Sequence, residues 1–566
     1  MHTLSLLLAA LVASAAAAQV PFTQYADVAS PAAVGVSVDA QEAFADPSQG
    51  FQSASQGPLR VELPFATSSR SDKGASMTVE QLIAQQGSKH TVLTHSEFPE
   101  ISVRIKRISA GKNSGQVFGA NESFCDPSVT SWSGYIDTIT GKSLFFYFFE
   151  SRSEPSKDPL ILWTNGGPGC SSAIGLFQEL GPCRVKDSGG TGARIDGPPI
   201  NGTEVNPYGW NAKANVIFID QPVGVGYSYA RFGDLVYDSD QGAKDLYKFL
   251  RLFLSAFDRF VDNDFIMTGE SYGGRYIPRY AAEIADRNFA LENKAARHHK
   301  KLSRGELINL KRVAIGNGLT DDVAQTLSYY DFTCTAKGGN ELYLDIRTCK
   351  EMKFWKQKCE KWLPHACRDS HDVALCQNAF DTCLEKLGGP YQQTLRNPYN
   401  VNDGCEVGLE PNLCYPIVGD ITAYLNREDV RELLGVAPEA GKYTTCNEKV
   451  HEGFGKSGDW LVDNTLYISG LLERGYKVLI YVGTLDWICN WLGNKAWVMN
   501  MPWTHAEEFH KAKNYQWLVD GHESGEVQQG GNLTWATVLG AGHMVPYDRP
   551  KESLQLLHRW LNNERI

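Results

Sequence analysis

The chain has 566 residues, 42% hydrophobic and 21% charged, an ordinary globular balance at a length that allows one large core with insertions or two domains. Its net charge of −11 and the absence of a basic block argue against a nucleic-acid role and give no electrostatic reason to bind anionic membranes. After the N-terminus no window reaches about 18 uninterrupted apolar residues, so no membrane anchor is expected.

The short apolar stretch Leu4 to Val12, the small residues Ala13 to Ala18 and then Gln19 predict a signal peptide over 1–18, cut near Ala18. Residues 19–107 are rich in Ala, Ser and Gln, are expected to hold few strong strands, and end in the dibasic Arg104-Ile105-Lys106-Arg107. They read as a propeptide released by a processing protease that cuts after Arg107; a disordered linker is the alternative. Sequons at Asn121, Asn201 and Asn532 agree with a secretory route. A vacuole- or lysosome-like compartment is the expected destination, with the exterior as the alternative.

From residue 108 to 566 one catalytic domain is expected. Antiparallel material at 134–137 and 144–149 precedes parallel-strand candidates at 159–164, 215–220, 264–268, 313–316, 477–482 and 534–539. Helical spans between them predict an α/β fold with a mostly parallel central sheet covered on both faces. An insertion at about 325–420 interrupts this series before its last two strands and is expected to cap the strand ends. Eight of the 13 cysteines fall between Cys334 and Cys414, where the apolar pattern is poor, so disulfide staples are expected. No clustered CxxC pairs suggest zinc.

Gly269-Glu270-Ser271-Tyr272-Gly273 follows the apolar run Phe265-Ile266-Met267. A strand, a tight glycine-flanked turn and a helix start form a nucleophile elbow, which lifts the serine hydroxyl above the sheet. Serine is a weak nucleophile without a base, and the base needs an orienting carboxylate. In the order Ser, acid, His that such sheets use, the strand at 477–482 leads to Asp486 and that at 534–539 leads to His543. An Asp in that position also serves as a turn residue or helix cap, and most of the 13 histidines should be surface or core groups; joint order and setting favour this pair. The loop Asn165-Gly166-Gly167-Pro168-Gly169-Cys170-Ser171-Ser172 after Ile161-Leu162-Trp163 fits either an oxyanion hole or a plain turn.

Asn165 to Ser172, Gly269 to Pro278, Ile488 to Trp497 and Gly542 to Asp548 together resemble the serine carboxypeptidase family, in its carboxypeptidase Y branch. The resemblance covers roughly residues 125–565 and implies an α/β-hydrolase fold with a disulfide-rich helical cap. It implies Ser271 as nucleophile, His543 as general base and then acid, and Asp486 as the residue orienting the imidazole. Backbone N–H groups of Gly167 and Tyr272 would form the oxyanion hole. Glu179 and Glu270, with Asn165 and the Gly166 backbone, would hold the substrate's terminal carboxylate. Two buried carboxyl groups within reach share a proton, and a protonated one can donate to that carboxylate. Glu270 as a plain helix cap is the structural alternative. The resemblance also implies disulfides Cys170–Cys446, Cys334–Cys349, Cys359–Cys383, Cys367–Cys376 and Cys405–Cys414. Cys125 and Cys183 then remain as a sixth bridge, with Cys489 free.

The expected activity is a serine-type carboxypeptidase acting on peptide and protein C-termini at acidic pH through an acyl-enzyme. No metal or organic cofactor is needed for this chemistry. An acyltransferase with the same triad is the first rival, and a catalytically silent binding member the second. Retention of Glu179 and Glu270 tilts toward the peptidase, and an intact triad argues against a silent member.

Overall fold

Consecutive residues of a strand point to opposite faces, so a strand buried on both faces must be apolar at nearly every position. All five residues of Leu160–Thr164 and of Asn215–Ile219 are buried. They lie at the centre of the sheet in a computed structural model that describes residues 59–63, 90–95, 98–110, 124–186, 202–231, 234–370, 372–405 and 412–566. The strands along the main path of the sheet are β1 Leu59–Leu63, β2 Thr91–His95, β3 Ile101–Ala110, β4 Thr130–Thr138, β5 Lys142–Phe149, β6 Leu160–Thr164 and β7 Asn215–Ile219. After these come β8 Phe265–Ser271, β9 Leu310–Gly318, β10 Lys477–Gly483, β11 Tyr515–Val519, β12 His522–Gly530 and β13 Leu533–Val538. Their order is β1-β2-β3-β4-β5-β7-β6-β8-β9-β10-β13-β12-β11. The run from β7 through β6, β8, β9 and β10 to β13 is parallel, as expected of strands joined by helical crossovers. Strands β2 to β5 at one end, and β12 and β11 at the other, pair antiparallel.

Each parallel strand feeds two cores. Leu162 of β6, Met267 of β8 and Ile480 of β10 face one side with Phe249, Phe253, Tyr276 and Tyr280. Those aromatic residues come from α1 (Ser239–Ala256) and α2 (Gly273–Arg297). Ile161, Trp163, Ile266 and Leu479 face the other side, packed with Leu557 and Trp560 near the C-terminus.

The cap is helical: α3 (Asp322–Cys334) leaves the end of β9, followed by α4 (Ile346–Pro364) and α5 (Val373–Leu387). Its small core contains Met352, Leu363, Ala379 and Leu387 and reaches Trp487 in the loop after β10. Trp487 stacks between Tyr329 and Tyr391, with both centroid distances 4.4 Å, which seats the cap over the carboxyl ends of the strands. Disulfides Cys334–Cys349, Cys359–Cys383 and Cys367–Cys376 cross-link this segment. Beyond the cap, α6 (Glu448–Ser457) and α7 (Thr465–Glu473) precede β10, and α8 (Pro550–Leu561) ends the chain.

Among the described residues, 19–107 contribute β1, β2 and most of β3. The dibasic run that marked a processing point is also a period-two strand: Val103 and Ile105 are buried while Arg104 lies between them and donates to Asp137 Oδ1 at 2.8 Å. The boundary after Arg107 falls inside β3, where Arg107 pairs with Trp132. The predicted signal peptide and the sequons at Asn121 and Asn201 lie outside the described residues. Asn532 sits half-buried in the turn between β12 and β13.

Candidate active site

Four adjacent strands end at the site, and each delivers one side chain. Ser271 is the last residue of β8 and takes φ 61°, a left-handed conformation that the glycines beside it and the close packing of the elbow sustain. Asn317, next to last in β9, also has positive φ, at 42°. Asp486 follows β10, and His543 follows β13. Beyond Ser271 the chain turns at once into α2, whose N-terminal dipole favours negative charge beside the elbow.

The Asp486 carboxylate is buried and fully engaged. His543 Nδ1 and Asn317 Nδ2 each reach its Oδ2 at 2.7 Å. The backbone N–H groups of Ile488 and Cys489 donate to its Oδ1 at 3.0 and 3.3 Å. Asp486 therefore needs an N–H on His543 Nδ1, which leaves Nε2 as the free base. The His543 backbone N–H donates to the Tyr399 carbonyl at 2.7 Å, and its ring meets the Tyr399 ring edge-on. Asp548 accepts from the Gly542 N–H at 2.6 Å, fixing the loop that carries the histidine. Burial pushes the Asp548 carboxyl up to about 6.

The loop from Asn165 to Ser172 packs directly on the elbow. A methyl group on Gly166 would stand 2.2 Å from the Tyr272 nitrogen and 2.8 Å from Ser271 Cβ, so only glycine permits this approach. Gly167 has φ 113°. Below it, Ser172 Oγ donates to the Ile219 carbonyl and accepts from the Asn165 N–H. Ser171 Oγ donates to Asp220, whose carboxyl burial pushes up to about 6. The Cys170–Cys446 disulfide ties the loop to the segment just before α6.

Asn165 joins this loop to two buried acids. Its Nδ2 donates to Glu179 Oε1 at 3.1 Å and to Glu270 Oε1 at 3.3 Å. Its Oδ1 accepts from Trp163 Nε1 at 2.8 Å and the Gly175 N–H at 2.9 Å, which fixes the amide's orientation. Glu179 and Glu270 are 0% and 2% exposed. Burial, reinforced by neighbouring Glu179, pushes the Glu270 carboxyl well up, and burial raises Glu179 too. Two carboxylates in such a place cannot both ionise cheaply, so the pair retains a proton. The arrangement can meet a ligand carboxylate with protonated acid and amide donors, one residue away from Ser271.

Ser271, with Glu270 before it and Tyr272 after it, Asp486 and His543 thus lie at or just beyond the carboxyl ends of parallel strands, Asn165, Gly166 and Gly167 lie in the loop that packs on the elbow, and Glu179 ends the short helical turn Gly175–Glu179. Asn317, Asp220 and Asp548 were not singled out. The order Gly316-Asn317-Gly318 could have drawn attention, since it ends an apolar strand like the others. Disulfides Cys405–Cys414 and Cys125–Cys183 are also present, and Cys489 is free and buried. Its thiol is pushed well up by burial, with Asp486 and Glu270 adding to the effect. The Cys489 sulfur, Asp486 and His543 bring one donor atom each within 4.8 Å of one another, a cluster that belongs to the triad itself.

The serine carboxypeptidase family model matches residues 122–563, well over half of the chain. Carboxypeptidase Y of Komagataella phaffii is 37% identical over 547 residues, covering 94% of this chain and 91% of the relative. Carboxypeptidase Y homolog A of Sclerotinia sclerotiorum is 42% identical over 437 residues, covering 77% and 73%. Among solved structures, the crystal structure of Kex1Δp, a prohormone-processing carboxypeptidase from Saccharomyces cerevisiae, superposes with a TM-score of 0.63 at 25% identity. That match covers 78% of this chain and 93% of the other. With four strand ends converging on Ser271, Asp486 and His543 in an α/β-hydrolase sheet, the chain belongs to the serine carboxypeptidase family.

Proposed function

We propose that this carboxypeptidase removes single residues from free peptide and protein C-termini at acidic pH, with Ser271 as the acylated nucleophile. Ser271 Oγ attacks the scissile carbonyl carbon as His543 Nε2 takes its proton. The N–H groups of Gly167 and Tyr272 hold the oxyanion, and Asp486 holds the imidazole in its tautomer. His543 then passes the proton to the departing amine, the C–N bond breaks, and an ester on Ser271 remains. Water, deprotonated by His543, attacks that ester and releases the shortened peptide.

The observation that carries the exopeptidase reading is Asn165 bridging two buried carboxyl groups, one of them the residue immediately before Ser271. Asn165, the Gly166 N–H and the protonated Glu179–Glu270 pair bind the terminal carboxylate, so only the last peptide bond reaches the serine. The same pair favours a peptidase over an acyltransferase, whose donor need carry no free carboxylate. The reading extends to synthesis as a preproenzyme on the secretory route, bound for a vacuole-like compartment or the exterior. Cleavage after Arg107 would require β3 to open locally, because that bond lies within its ladder with β4. No helix among the described residues is long and apolar enough to cross a membrane.

Labelling with a fluorophosphonate at pH 5 to 7, followed by peptide mapping, tests the nucleophile. The label should fall on the peptide containing Ser271 and be absent in His543→Ala; labelling elsewhere, or none in the wild type, overturns the assignment.

A further inference from the structure

Behind the elbow lies a second group of buried charges that the peptidase mechanism does not use. Asp459, in the turn between α6 and α7, is 4% exposed as a residue and its side chain is fully buried. Its Oδ1 accepts from the Ser239 N–H at 2.8 Å and pairs with Arg279 Nη1 at 2.5 Å. Its Oδ2 accepts from Ser239 Oγ and from the Tyr272 hydroxyl, both at 2.8 Å. Arg279 is oriented in turn by Asn464 Oδ1 at 3.0 Å, and Arg275, one turn before it on α2, pairs with Asp322 at the start of the cap. Both arginines also donate to the Asp459 carbonyl. A buried carboxylate with this many charged and neutral donors is anchored firmly, since losing any one leaves polar groups dry.

Tyr272 connects this group to the reacting centre. Its ring is clamped edge-on by Tyr276 and Phe454, and its hydroxyl ends on Asp459. Its main-chain N–H is at the other end of the same residue, against Gly166 and directly after the strained Ser271. A backbone held in a sparsely populated conformation keeps its geometry only if its surroundings over-determine it. We infer that Asp459 is a positioning residue for catalysis, which through the Tyr272 hydroxyl holds the Tyr272 N–H at the angle the oxyanion requires. The inference rests on the reading of that N–H as an oxyanion donor. Oxyanion donors act by preorganisation, so a loosened Tyr272 should weaken the tetrahedral state more than the bound substrate.

The test is Tyr272→Phe, which removes one hydroxyl and leaves the ring, the main-chain N–H and the other Asp459 contacts. Kinetics on a blocked dipeptide acid are read beside the affinity of the matching C-terminal peptide aldehyde-type adduct former and the unfolding temperature. A lost oxyanion donor costs 10²–10³ in rate, so a merely loosened one should lower kcat by roughly tenfold, lower aldehyde affinity in parallel and leave KM within about twofold. Asp459→Asn, which keeps an acceptor oxygen for the hydroxyl, should lose less than Asp459→Ala. Unchanged kcat and aldehyde affinity in Tyr272→Phe, with or without a lower unfolding temperature, overturn the inference and leave Asp459 a purely structural group. A rise in KM alone overturns it too. A wild type that neither hydrolyses the acid nor forms the adduct removes the carboxypeptidase reading first, and this inference with it.

Discussion

Asn317 and His543 share one acceptor: the amide of the first and Nδ1 of the second both meet Asp486 Oδ2 at 2.7 Å. The amide fixes the carboxylate plane that the imidazole must follow, and Asn317 Oδ1 is itself held by the Gly483 N–H at 3.1 Å. Asn317→Gly suits the positive φ and removes the donor to Asp486 together with the acceptor of the Gly483 N–H. A hydrogen bond to a charged group is worth about 1.5–3 kcal/mol, so kcat should fall about tenfold or more with little change in KM. Steady-state kinetics at several pH values check this; an unchanged kcat makes the amide dispensable.

The pH dependence of peptide binding should follow the Glu179–Glu270 pair. Both carboxyls are raised, so on the acid side the pair keeps a proton and can donate to the substrate carboxylate. As pH rises through the raised range that proton leaves, the pair repels the carboxylate, and KM should climb. Glu270→Gln keeps a donor at every pH and should flatten the KM profile for peptide acids. A wild-type KM that is flat across pH 4 to 8 contradicts the role given to the pair.

Gly166→Ala should nearly abolish turnover in a folded protein. The added methyl meets the Tyr272 nitrogen, the Glu270 carbonyl at 2.8 Å and Ser271 Cβ, two of them backbone atoms that cannot swing away. Displacement of the elbow disturbs nucleophile and oxyanion donor together, for a loss on the order of a hundredfold or more. Activity near that of the wild type, with an intact circular dichroism spectrum, contradicts the close packing.

Asp220 links stability to acidity. Its carboxyl rises from 3.8 to about 6 on burial, so between those values the folded protein holds a proton that the unfolded chain has released. Stability is therefore fully favoured by this group below about pH 4 and declines as pH rises through about 6, by about 3 kcal/mol at most. Unfolding temperatures of wild type and Asp220→Asn between pH 4 and 7 test it: the variant should show a shallower decline, and parallel curves would remove Asp220 as the cause.

The parallel half of the sheet was legible because its strands are apolar at almost every position. Leu160–Thr164, for example, is bounded by a proline and a glycine-rich loop. Ser271, Asp486 and His543 stood out for the same reason: each comes just after such a run. Strand β3 was hidden because its basic residues alternate with buried Val103 and Ile105, and the charges drew attention before the period did. Asn317 was hidden by its glycine neighbours, which read as an ordinary turn. The Asp459 group could not be read at all, since Ser239, Tyr272, Arg279 and Asp459 meet only through the packing of α1 and α2 against the turn after α6.

The most direct measurement compares hydrolysis of a blocked dipeptide acid and its C-terminal amide by the processed protein at about pH 5, near the reference glutamate pKa, with Ser271→Ala as control. Mass spectrometry should show fast release of the terminal residue from the acid, slower release from the amide and none with the variant. Equal rates on acid and amide would contradict carboxylate recognition by Glu179 and Glu270, and undiminished release by Ser271→Ala would contradict the nucleophile itself.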